Sequence, residues 1–241
     1  MRKTPHSNDR FLHTLSASLH GLAQPLSLIH GYLEISLLDG GSLDQYRELT
    51  RKLLQQSSKA TGIAQFVAQL TCYQQPAANE AEVLLSAALE KGIEDMTPIF
   101  DSIQIKLIFD RPQRERLVTM SPVRLRQFVL HILDVVRMVS ATEDVIHLEL
   151  VLKNSRMKLQ VRRESGPGTS SRTVTSSGEN SGNRALALAE AIVSSAQGKF
   201  TASLEPLSIC AEFPTARQRE TRYWQKGPDV PISSRAVNAL H

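Results

Sequence analysis

Leucine returns at steps of three and four through the start of the chain: Leu12, Leu15, Leu19, Leu22, Leu26, Ile29 and Leu33. That period lines them along one side of a helix and predicts one over residues 8–38. The stretch "DGGSLD", Asp39 to Asp44, then supplies turn chemistry. Two glycines stop the first helix, and Ser42 or Asp44 can cap a second. The second helix runs to about Tyr73, with Tyr46, Leu49, Leu53, Ile63, Phe66, Val67 and Leu70 as its apolar stripe. Each helix is about 45 Å long at 1.5 Å per residue. Two helices joined by a short turn form an antiparallel hairpin, and a second copy would bury the apolar surface that one hairpin leaves wet. The expected result is a four-helix bundle in a homodimer.

The polar, proline-bearing "QQPAAN", Gln74 to Asn79, marks a domain boundary, and the pattern changes after it. "EVLLSAALEKGIEDMTPIF" reads as a strand or cap followed by a helix. "IQIKLIF" alternates as a strand does, and "VRLRQFVLHILDVVRMV" has helical spacing. "VIHLELVLKN" and "MKLQVRRE" alternate again around the turn "KNSR", as in a hairpin. An alanine-rich helix, "NRALALAEAIVSSAQG", ends at Gly198, and the strands "KFTASLE" and "LSICAEFP" close the pattern. The fold class is α+β: a helical hairpin over residues 8–75, then an α/β sandwich over 80–215 with helices on one face. Residues 165–183 hold almost no large apolar side chain and read as a mobile loop. Residues 216–241 form a basic tail in which Tyr223 and Trp224 sit beside Arg222 and Lys226.

Composition narrows the function classes. With 41% hydrophobic and 22% charged residues, the 241-residue chain is an ordinary folding sequence rather than a disordered one. A net charge of +4, spread along the chain, gives no argument for nucleic-acid binding. Cys72 and Cys210 stand alone, so neither a zinc site nor a disulfide framework is expected. The start is basic without a signal peptide's apolar core, and no run approaches about 18 apolar residues. These features predict a cytoplasmic protein with no membrane partner and no metal.

The chemistry concentrates in "SLHGLAQPLSLIHGYLEISLL", where His20 precedes Pro25 by five residues in a helical run. A proline there removes a backbone donor and bends the helix, freeing carbonyls beside the ring. His13, one heptad earlier, and His30 read as surface or seam residues.

The order of pieces over residues 8–215 resembles the core of a two-component sensor histidine kinase. Such a core has a dimerisation and histidine-phosphotransfer hairpin followed by a Bergerat-type ATPase domain. The family's box His-Glu-Leu-x-x-Pro-Leu reads here His20-Gly21-Leu22-Ala23-Gln24-Pro25-Leu26, which implies that His20 is the phosphoacceptor. The departures follow from the same comparison. Gly21 replaces the acid that assists proton transfer. The family's asparagine box begins well at Arg124, Leu125 and Gln127, but His131 and Val135 stand at its two asparagine positions. The second of these ligates magnesium in the family, and valine offers no oxygen to a hard cation. Asp134 lies about 100° away around the helix. The first glycine box survives as Glu164, Gly166 and Gly168, with glutamate in place of the adenine-contacting aspartate. The second is reduced to Ser181-Gly182-Asn183-Arg184-Ala185, without the glycines that bring amides to phosphate.

The resemblance therefore implies a degenerate kinase core with a vestigial nucleotide pocket at Glu164, Gly166 and Gly168 and no bound ATP or magnesium as cofactor. The implied activity is histidine phosphotransfer, with His20 passing a phosphoryl group to or from the aspartate of a response-regulator receiver domain. The alternatives are a non-catalytic pseudokinase scaffold that dimerises and binds a regulator or kinase, and a divergent ATP-dependent kinase. Arg47, Glu48, Arg51 and Lys52 read as a solvated face of the second helix, with a receiver-docking rim as the alternative.

Overall fold

Helix α1 spans Pro5–Leu38 and α2 spans Leu43–Gln74, packed together as the antiparallel hairpin that the leucine spacing predicts. The structure is a computed structural model. It describes residues 5–38, 41–75, 77, 79–164 and 176–216, with the backbone alone at 5–10, 38 and 176–180. Of the two candidate caps for α2, Ser42 serves. Its hydroxyl accepts from the Gln45 amide at 3.4 Å, and its own amide donates to Gln45 Oε1 at 2.6 Å, a closed capping box. Helix α1 continues through Pro25, which is buried.

The rest of the chain builds a sheet with helices on one face. In order come β1 (Ala81–Val83), α3 (Leu85–Ser102), β2 (Lys106–Asp110), β3 (Val118–Met120), α4 (Pro122–Val139), β4 (Val145–Lys153), β5 (Arg156–Glu164), α5 (Ser176–Ser195), β6 (Lys199–Leu204) and β7 (Leu207–Pro214). The main sheet runs β2-β4-β5-β7-β6, and only the β2–β4 pair is parallel. β1 and β3 pair as a small separate ribbon. The three-residue strand β3 has no readable alternation and was not foreseen. Helix α5 begins at Ser176, seven residues before the alanine-rich segment, so the second half of the expected 165–183 loop is helical. Helix propensity in "SSGENSG" is poor, and the turns that follow pack on α4 and α2.

Strand alternation sorts the sheet into two faces. Ile146, Leu148 and Leu150 of β4, Met157, Leu159 and Val161 of β5, and Ile209, Ala211 and Phe213 of β7 are buried beneath the helices. His147, Glu149, Gln160 and Arg162 lie on the other face. The core does not stop at the sandwich. Phe66, Leu70 and Tyr73 of α2 belong to the same apolar cluster as α4, α5 and the sheet. After α5, Gly198 donates its amide to the Val193 carbonyl at 2.8 Å. A Cβ at Gly198 would stand 2.5 Å from the Glu212 carbonyl oxygen, so only glycine permits this turn onto β6.

Helices α3 and α4 meet at Gly92, where an added Cβ would lie 2.3 Å from Val129 Cγ1. Alanine normally strengthens a helix, but here overpacking should dominate. Gly92→Ala should lower unfolding free energy by about 1–3 kcal/mol in urea titration. Gly62→Ala, which meets nothing within 4 Å, should raise it by up to about 1 kcal/mol. A stabilised Gly92→Ala protein would contradict the α3–α4 packing.

Candidate functional site

Two places carry the chemistry expected from the sequence, and they are built very differently. On α1 the residues nearest α2 are Leu15, Leu22, Pro25 and Ile29, all at least partly buried. At 100° per residue, His20 stands about 160° around the helix from Leu22. Its side chain is exposed and faces away from the hairpin's own interior. Gly21 has open space where a Cβ would be, so a larger residue would fit there. His13 is also exposed, and His30 pairs with Glu34 one turn later at 3.1 Å.

A second feature of α1 is a strict heptad of wet leucines. Leu12, Leu19, Leu26 and Leu33 are 52%, 51%, 51% and 46% exposed. They lie between the α2-facing side and the His20 face. Seven-residue spacing of half-exposed leucine is the pattern of a helix awaiting another helix.

The second place is where the kinase resemblance would seat a nucleotide, between the end of α4, the end of β5 and the start of α5. Val135 is fully buried in the core. Asp134, its neighbour, turns to Arg137, which donates to Asp134 Oδ1 through Nε at 3.0 Å and Nη2 at 2.7 Å. Glu164 lies on the outer sheet face, its side chain 74% exposed and 3.1 Å from His147 Nε2. The inward position at that end of β5 belongs to Arg163, only 16% exposed. Its guanidinium donates to the Val139 carbonyl at 2.8 Å and lies 3.9 Å from the buried carboxylate of Asp144. Asp144 also accepts from the Ala141 amide at 2.7 Å. A cation tied to the last turn of α4 thus occupies the inward position at that end of β5. Gly166 and Gly168 lie outside the described residues. Gly182 is buried in α5, and the Arg184 guanidinium lies 5.9 Å over the Phe66 ring. Among the described residues no group of three or more His, Cys, Asp and Glu is placed to hold a metal ion.

His131, at the other asparagine position, faces the hairpin. Its Nε2 is 3.5 Å from the Tyr73 hydroxyl, and the rings meet edge-on with centroids 6.2 Å apart. Burial pushes the His131 pKa down from its ordinary 6.5, and Asp134 opposes this only in part. Burial likewise raises the Tyr73 pKa, with Cys72 adding and Arg124 opposing. The two rings meet as neutral groups.

Beside them lies a residue whose role the sequence did not disclose. Arg124, almost fully buried, donates to the carbonyls of Cys72 and Gln75, both at 2.9 Å, and to Ser195 Oγ at 3.3 Å. It also lies 5.9 Å over the Tyr73 ring. The last carbonyls of a helix have no partners within it. Arg124 satisfies those of α2 from α4 with bonds of the charge-assisted kind, worth about 1.5–3 kcal/mol each.

No family model matches the chain, and no curated protein matches it in sequence. Its architecture, however, recurs among solved structures. The Acinetobacter baumannii histidine kinase AdeS is similar over 82% of this chain and 98% of its own, at a TM-score of 0.55 and 16% identity. Histidine kinase ThkA, solved in complex with response regulator protein TrrA, is similar over 89% of this chain and 65% of its own, at a TM-score of 0.57 and 13% identity. The chain has the fold of a sensor histidine kinase core, hairpin and ATPase-type sandwich together. No described helix is long and apolar enough to cross a membrane.

The neutral burial of His131 sets a pH dependence. Because its folded pKa is lowered, its contribution to stability is complete above the ordinary 6.5 and is lost as pH falls from there through the folded value. Urea midpoints measured between about pH 7.5 and 5 should therefore fall more steeply in the native protein than in His131→Gln. Equal slopes would show that the ring titrates freely.

Proposed function

We propose that this protein is a two-component signalling protein that moves phosphoryl groups through His20 without drawing them from ATP. The observation that carries the reading is a contrast in burial. The imidazole of His20 is open to solvent on the outward face of α1, whereas Val135 is enclosed in the core with Arg163 set across the end of β5. A free ring nitrogen of His20 forms the N–P bond as the P–O bond of an aspartyl phosphate breaks. The carboxylate leaves with the electron pair, and the ring proton passes to water. The reverse step returns the phosphoryl group to an aspartate. The partner is a receiver domain of a response regulator, in keeping with the ThkA structure, which holds its regulator.

The scaffold alternative rests on Gly21. There is room for an acidic side chain beside His20, and none is present. Incubation with a receiver domain bearing aspartyl phosphate separates the readings. Phosphotransfer predicts acid-labile, base-stable label on the native protein and none on His20→Ala. Stable association without label on either would favour the scaffold.

The working form is a homodimer through the leucine heptad of α1. Covering a half-exposed leucine contributes about 1 kcal/mol, so eight of them contribute about 8 kcal/mol, within the range that association costs. Leu43 and Leu54 on α2, exposed by 67% and 66%, add to the margin. The double variant Leu19→Glu, Leu26→Glu should sediment as a folded monomer where the native protein sediments as a dimer. A dimer that persists in this variant would place the interface elsewhere.

A further inference from the structure

The end of α2 is tied to the sandwich by two cations and one titratable ring. Arg124 of α4 bonds the carbonyls of Cys72 and Gln75, Arg184 of α5 lies over Phe66, and His131 of α4 meets the Tyr73 hydroxyl. Arg124 and His131 stand seven residues apart, so at 100° per residue they share one side of α4. Both reach Tyr73: the guanidinium sits 5.9 Å over its ring, and the imidazole meets it edge-on with centroids 6.2 Å apart.

A charge on that imidazole would be poorly matched by its surroundings. Residues 60–79 contain no Asp, Glu, Lys or Arg, and the titratable groups that α2 brings to the seam are Cys72 and Tyr73. Helix α1 packs Phe11 against the same cluster and has no Asp, Glu, Lys or Arg from residue 11 to residue 33. Helix α5 brings Arg184 and Glu190, and α4 itself brings Arg124 and Asp134. Asp134 is the carboxylate that favours a charged ring, but Arg137 already holds it through two bonds, and burial outweighs it. The Tyr73 hydroxyl can turn to accept from an imidazolium, so that bond survives protonation. The cost lies in adding a third cation to an enclosed seam that already holds Arg124 and Arg184.

We propose that this seam is an acid-sensitive latch: a proton on His131 releases the last turns of α2 from α4 while the sheet stays folded. The effect is local because the ties are local, all three acting on residues 66–75. A released seam lets the sandwich shift against the stem that carries His20, so mild acid changes how the two parts are held together. The latch stands whether or not His20 transfers phosphate.

Hydrogen exchange of the full chain, read by mass spectrometry and divided by the rates of the unfolded chain at each pH, tests the latch. Burial lowers the ring's pKa, so the docked seam is complete above the ordinary 6.5 and is lost as pH falls from there. Between about pH 7.5 and 5.5, protection of residues 66–75 in the native protein should fall at least about threefold. It should lie below that of β4 and β5 throughout. His131→Gln keeps a polar group but cannot titrate, and its seam should stay constant within about twofold. His131→Lys carries a permanent charge and should leave the seam open at neutral pH while β4 and β5 stay protected. Equal pH responses in the native protein and His131→Gln would overturn the proposal, since another group would then be titrating. Protection at residues 66–75 as high as that of β4 and β5 would also overturn it, since the seam would then open only with the whole chain. The native and glutamine proteins decide the question even where the lysine variant does not fold.

Discussion

Helix α2 ends with one side packed against the sandwich, and the fold depends on how that end is satisfied. Its last carbonyls point at α4, where the Arg124 guanidinium receives them, while Tyr73 packs edge-on against His131 and Phe66 lies under Arg184. Removing a partner from a buried donor or acceptor costs more than the bond contributes, so these groups hold one another in place. The apolar cluster then passes without a break from Phe66 and Leu70 into α4, α5 and the sheet. Hairpin and sandwich are joined by a core, not only by the linker after Gln74.

That joint reaches the part of the sandwich where the kinase resemblance would seat a nucleotide. Val135 turns inward beside residues that α2 and α5 already cover, and an apolar side chain there gains what a ligand-bearing asparagine would give up to solvent. Arg163 bonds the last turn of α4 and approaches Asp144. His20, exposed on α1, is reached without disturbing any of these contacts.

Much of this was readable in advance. The leucine period located both helices to within a few residues, and the alternating runs gave β4, β5, β6 and β7. What the sequence did not yield has a physical reason in each case. β3 is three residues long, too short for a pattern. The start of α5 uses poor helix formers that tertiary packing overrides. Glu164 was aligned by its place in a motif, but strand parity with Met157, Leu159 and Val161 sends Arg163 inward and Glu164 outward. That signal was present in the alternation of β5. Arg124 matched a family box, yet its bonds to Cys72 and Gln75 span about fifty residues, and no local spacing reveals such a contact.

The central claim is that the core has closed over the site of ATP while His20 has stayed open. Titration calorimetry of the full chain with magnesium and a non-hydrolysable ATP analogue tests it most directly. The account predicts no heat of binding and no protection of the end of α4 from hydrogen exchange. Saturable binding of one nucleotide per chain, with slowed exchange at the amides around Val135, would contradict it.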